Sequence, residues 1–105
     1  MSTKTLEWNL AFARDEVVAG LEKLLAHLGY AYTRGGTEDE IRFRATLSHG
    51  VLDVVVQPLA SHRSPFNLQV VLQRTLLTAT CTGLSTQEEE RFRHGLTLTF
   101  LRVGG

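Results

Sequence analysis

This chain of 105 residues has little of what disulfide scaffolds, membrane spans or nucleic-acid binders rely on. It holds one cysteine, Cys81, which excludes an intrachain disulfide and a cysteine-based zinc site. Eleven basic and eleven acidic residues cancel, so no bulk charge pulls the chain toward nucleic acid or an anionic membrane. The same neutrality weakens repulsion between copies and makes self-association easy. No apolar run approaches the ~20 residues of a membrane helix. The opening MSTKTLEWNLAF lacks the apolar stretch of a signal peptide, so a reduced, cytoplasmic protein without membrane contact is expected. Cys81 then reads as a small buried hydrophobe.

What is present is an ordinary globular composition, 43% hydrophobic and 21% charged, long enough for one domain with its own core. Leu6, Trp8, Leu10 and Phe12 alternate with Glu7, Asn9, Ala11 and Ala13, the period of a half-buried strand. Asp15 is the expected N-cap of a helix whose stripe is Val17, Val18, Leu21, Leu24, Leu25 and Leu28. Gly29 stands where a left-handed stop belongs, with Tyr30 placed to touch Leu25. Tyr30 and Tyr32 open a short strand ending at a Gly35–Gly36 turn. Residues 40–47 alternate again, with Ile41, Phe43, Ala45 and Leu47 opposed to Arg42, Arg44 and Thr46. Ser48-His49-Gly50 is a hairpin turn, and residues 51–56 continue the sheet until Pro58, which cannot donate to a ladder.

Residues 66–82 keep β-favouring composition for longer than one strand usually runs, so a bend or bulge is expected near Arg74–Thr75. Ser85-Thr86-Gln87-Glu88 fits a capping box. Gly95 interrupts the helical pattern, and the segment LTLTFLRV beyond it has strand propensity. The stripe Phe92, Leu96, Phe100 and Val103 nevertheless favours a helix running through the glycine. The order is β-α-β-β-β-β-α, an α+β domain whose five-stranded antiparallel sheet carries both helices on one face.

No catalytic constellation accompanies this pattern. His27, His49, His62 and His94 have no other histidine or cysteine at metal-ligand spacing. Ser61-His62-Arg63-Ser64 has neither an acid nearby nor a strand-to-helix elbow, and reads as a polar turn. Gly35-Gly36 leads into a strand rather than a helix, so it is not a phosphate loop. Glu88-Glu89-Glu90 is a solvated helix start. No cofactor or metal is expected.

The uncovered sheet face is the expected binding surface. Alternation places Arg42, Arg44, Thr46, Gln57, Asn67, Gln69 and Gln73 there with Val55 and Val71, beside Glu7 and Asp53. The leading reading is a non-enzymatic domain that binds a protein partner, or a second copy as a homodimer, through this face or an unpaired edge. In a helix over 85–103, Leu98 and Leu101 lie opposite the apolar stripe and form an expected dimer contact. The element order resembles one half of the TATA-binding protein fold, whose sheet meets its ligand while the helices cover the back. That resemblance implies an alternative, nucleic-acid binding by Arg42 and Arg44. A small-ligand carrier or enzyme with a pocket invisible in the sequence is the third class.

Overall fold

The computed structural model describes residues 3–47, 49–59, 62–63, 71–72 and 74–100. β1 (Thr3–Leu10) leads into α1 (Arg14–Leu28), then β2 (Tyr32–Gly36), β3 (Ile41–Thr46) and β4 (Val51–Pro58). Two short strands come next, β5 (His62–Arg63) and β6 (Val71–Leu72), before β7 (Thr75–Thr82) and α2 (Thr86–Phe100). The main sheet has five strands, all antiparallel, in the order β1-β7-β4-β3-β2. β5 and β6 form a separate antiparallel pair.

Both helix ends are set locally. α1 stops by a Schellman motif: Gly29 has φ 76°, its N–H donates to the Ala26 carbonyl at 3.1 Å, and the Tyr30 N–H donates to Leu25 at 3.0 Å. Its start differs from expectation. Ala13 is the N-cap, with no side-chain cap, and Asp15 sits inside the first turn, where Arg14 holds its carboxylate at 3.1 Å. The acid still complements the helix dipole there. α2 begins with the expected capping box: the Glu88 N–H donates to Ser85 Oγ at 3.1 Å, and the Ser85 N–H to Glu88 Oε1 at 3.2 Å.

Strand pairing accords with the turns. Thr37 and Glu40 exchange backbone hydrogen bonds at 2.9 and 3.2 Å, so the β2–β3 turn lies just past the two glycines, which remain in β2. Leu47 N–H to Gly50 O at 2.8 Å closes the β3–β4 hairpin. The β4–β7 ladder ends at Pro58 opposite Thr75, and Leu59 N–H to Arg74 O extends it at 2.9 Å. The pairing then resumes with His62 opposite Leu72, so the register steps by one residue between the two ladders. The extra residue is on the 59–62 side, three steps against two from Arg74 to Leu72, while the long β run is itself interrupted at Arg74, where a break is expected.

Among the described residues, every buried strand residue comes from one side of the sheet: Ile41, Phe43 and Ala45; Leu52, Val54 and Val56; Thr75, Leu77, Ala79 and Cys81. All but Thr75 join Val17, Leu21, Leu25, Phe92 and Leu96 in a single core cluster, so both helices cover the same face. Trp8 meets Phe92 edge-on, with ring centroids 6.5 Å apart, and ties edge strand β1 to α2. Thr75 is the one buried polar residue among those described, and its hydroxyl donates to the Phe12 carbonyl at 2.7 Å.

The helices cross at two glycines. A Cβ on Gly95 would run into Leu24 Cδ1, and a Cβ on Gly20 would lie 3.1 Å from Phe100 and Thr99. α2 passes through Gly95 as a helix, and close approach to α1 there leaves no room for a side chain. Its threonines adapt to the helix by donating to carbonyls four residues back, Thr97 to Arg93 at 2.9 Å and Thr99 to Gly95 at 2.7 Å.

Candidate interaction face

The side of the sheet away from the helices is built by alternation alone. β1 contributes Thr3, Thr5, Glu7 and Asn9, and β7 contributes Leu76, Thr78, Thr80 and Thr82. β4 adds Val51, Asp53, Val55 and Gln57, and β3 adds Arg42, Arg44 and Thr46. Half-buried Val51, Val55 and Leu76 lie on the two middle strands, in three different rows, interspersed with Asp53, Gln57, Thr78, Thr80 and Thr82. A groove of about 510 Å³ runs along the β2–β3–β4 part, lined by Thr33, Gly35, Arg42, Arg44, Asp53 and Val55.

The arginines on this face are already engaged. Arg44 Nε donates to Asp53 Oδ1 at 2.8 Å across the β3–β4 pair, and Arg42 reaches Glu40 at 3.1 Å. The Asp53 carboxylate, through its hydrogen bond and then its charge, holds the Arg44 guanidinium even more firmly protonated than usual. Glu7, at the opposite side of the face, is exposed and has no ion pair among the described residues.

Both sheet edges carry an inward-pointing base paired to a helix acid. On β1, Lys4 approaches Glu89 of α2 at 3.9 Å. On β2, Arg34 donates to Glu22 of α1 at 2.8 Å and lies 5.9 Å from the centroid of the Phe43 ring. Inward-pointing charges of this kind oppose the addition of another strand.

Of the residues expected on the face, Arg42, Arg44, Val55 and Gln57 are brought together there. Asn67, Gln69 and Gln73 lie outside the described residues, as does the Val71 side chain, whose backbone belongs to β6. Leu98 is on α2 and 60% exposed, the one large hydrophobic group so exposed among the described residues, while Leu101 lies outside them. Sequence reasoning misses the share of β7 in the face. Leu76, Thr78, Thr80 and Thr82 carry a readable alternation with Leu77, Ala79 and Cys81, and pairing with β1 and β4 on both sides makes β7 a middle strand of the face.

The remaining chemistry is muted. Burial pushes the Cys81 thiol up, with the Glu89 charge adding to this and Lys4 opposing it. The Tyr30 phenol is also raised by burial, against the Arg91 charge, and its hydroxyl has no hydrogen-bond partner among the described residues. Both shifts lead away from neutrality, the wrong direction for general acid–base work. Among the described residues, no three or more His, Cys, Asp or Glu side chains converge as a metal site, and no helix is long and apolar enough to cross a membrane. No family model matches the chain. No curated protein shows significant similarity to it.

Proposed function

We propose that this chain is a non-enzymatic protein-interaction domain that self-associates through the open face of its sheet. One observation carries the reading. A one-sided core leaves a four-strand face uncovered, with half-buried Val51, Val55 and Leu76 spread along its two middle strands, while both edges carry the ion pairs Lys4–Glu89 and Arg34–Glu22. Apolar side chains interspersed with polar ones suit a reversible protein contact, whose surface is on the whole no more apolar than the rest of the protein. The pairing of Arg42 with Glu40 and of Arg44 with Asp53 counts against a nucleic-acid-binding face, because each pair is neutral overall and offers a polyanion no net positive charge. A cytoplasmic setting is part of this reading, on a composition with a single free cysteine.

Light scattering over a concentration series from ~1 to ~100 μM tests the reading, because association must obey mass action. The mass should rise with concentration, and Val55→Asp should hold it at the monomer value with an unchanged circular-dichroism spectrum. Leu98→Gln, on the opposite side of the molecule, should leave association as it was. A monodisperse monomer across the whole range overturns the proposal.

A further inference from the structure

We infer that two copies of this chain stack their open faces about a two-fold axis parallel to the strands and lying between β4 and β7, so that Arg42 of each copy meets Glu7 of the other. The inference rests on the reading above that the open face is the binding surface, and adds the occupant and its orientation.

The register supplies the geometry. Glu7 stands opposite Thr78, Thr78 opposite Val55, and Val55 opposite Arg42, so these four residues form one row across β1, β7, β4 and β3. The row begins with an acid, ends with a base, and is uncharged between them. Rotation about an axis parallel to the strands keeps the row level and exchanges its ends. Arg42 then comes over Glu7 of the second copy, and Val55 over its Thr78. The contact occurs twice by symmetry.

The neighbouring row is compatible. Thr5, Thr80, Asp53 and Arg44 lie side by side, so the same rotation sets Arg44, already held by Asp53, over Thr5, and Asp53 over Thr80. No like charges stand opposite each other within these two rows. A two-fold axis perpendicular to the strands would instead lay β3 on β3 and bring arginines against arginines, which is disfavoured.

Both members of the contact have spare capacity. Glu7 is exposed and has no ion pair among the described residues. The Arg42 side chain is 62% exposed, with Glu40 on one side of it at 3.1 Å. A guanidinium has five N–H donors, enough for a second carboxylate. Stacked sheets lie about 10 Å apart, a gap that arginine and glutamate can span together. Four strands spaced by ~4.8 Å and rising ~3.3 Å per residue give a footprint of roughly 500 Å² on each copy. The total of about 1,000 Å² is the floor for a specific interface and suits a reversible dimer.

Charge reversal tests this pairing in trans. Arg42→Glu alone places acid against Glu7 at both contacts, and Glu7→Arg alone places base against Arg42. Each variant, checked as folded by circular dichroism, should self-associate at least about ten-fold more weakly than the natural chain. Mixed one to one, they should associate again, within about three-fold of the natural chain, because both contacts in the mixed pair are then of opposite charge. Sedimentation velocity with one variant fluorescently labelled reads the mixed species directly. Failure of the mixture to associate overturns the proposed pairing, as does either single variant associating normally. If Val55→Asp still abolishes association in that case, the face is the interface and only the orientation is wrong. If Val55→Asp also has no effect, the reading of the face falls as well.

Discussion

Replacing Gly95 with alanine isolates the packing that makes the last element a helix. Two effects oppose each other. Alanine in place of glycine in a helix interior is worth about 1 kcal/mol in intrinsic propensity. Against this, the new Cβ runs into Leu24 Cδ1, and Leu24 is only 5% exposed, so its methyl group has little room to withdraw. Overpacking of this kind costs about 1–3 kcal/mol. The net expectation for Gly95→Ala is a loss of about 1 kcal/mol, or about 4–8 °C in Tm for a domain of this size. The sign should reverse when Leu24 is shortened. Leu24→Ala alone should cost about 2–5 kcal/mol. Adding Gly95→Ala to that variant should return about 1 kcal/mol, because the obstacle is gone and the propensity gain remains. Urea unfolding tracked by Trp8 fluorescence and by the helical signal at 222 nm measures all four corners of this cycle. Equal effects of Gly95→Ala in both backgrounds would refute the proposed contact between α1 and α2.

Gly36 has φ 94° and a Cβ there would strike the Glu40 carbonyl, so Gly36→Ala should destabilise by more than about 1 kcal/mol; thermal melting checks this. Ser85→Ala removes the reciprocal cap of α2 and should cost about 1 kcal/mol in urea unfolding, with Ser85→Asp restoring most of it. Thr75→Val removes the hydroxyl that donates to the Phe12 carbonyl and should cost about 1–3 kcal/mol in urea unfolding at nearly constant volume. Cys81 ionises at higher pH in the folded chain than in the unfolded one, so the unfolded state loses its proton first as pH rises. Stability should therefore fall as pH climbs through the ordinary thiol range near ~8.5 and beyond, and Cys81→Ala should flatten that slope while lowering stability at neutral pH. Denaturant midpoints measured across that range read both effects.

The alternating strands and the helix stops are legible in the sequence because each is encoded within a few residues. Gly29 and Tyr30 carry the whole Schellman stop, and Ser85 and Glu88 the whole capping box. The polarity of Arg42 and Arg44 against Ile41 and Phe43 likewise declares which side of β3 faces the core. The start of α1 shows where such local reading fails. Asp15 is a good cap by type, but Arg14 binds its carboxylate and the helix starts earlier than that cap requires. The candidate face is legible strand by strand, through Arg42, Arg44, Val55 and Gln57, but not as rows.

Rows, edges and pairings are relations between distant segments, and no local pattern encodes them. β1 inserts beside β7, more than sixty residues along the chain, and only that pairing puts Glu7 level with Arg42. The ion pairs of Arg42 and Arg44, which set the charge of the face, depend on the β2–β3 turn and on the β3–β4 register. Gly95 is tolerated in α2 because Leu24 occupies the space its side chain would need. The hydrophobic period and the caps thus specified which elements form and which side of each is buried. The packing of helix on helix and strand on strand then set what lies beside what, since side chains far apart in sequence compete for the same volume and charge only once the chain is folded.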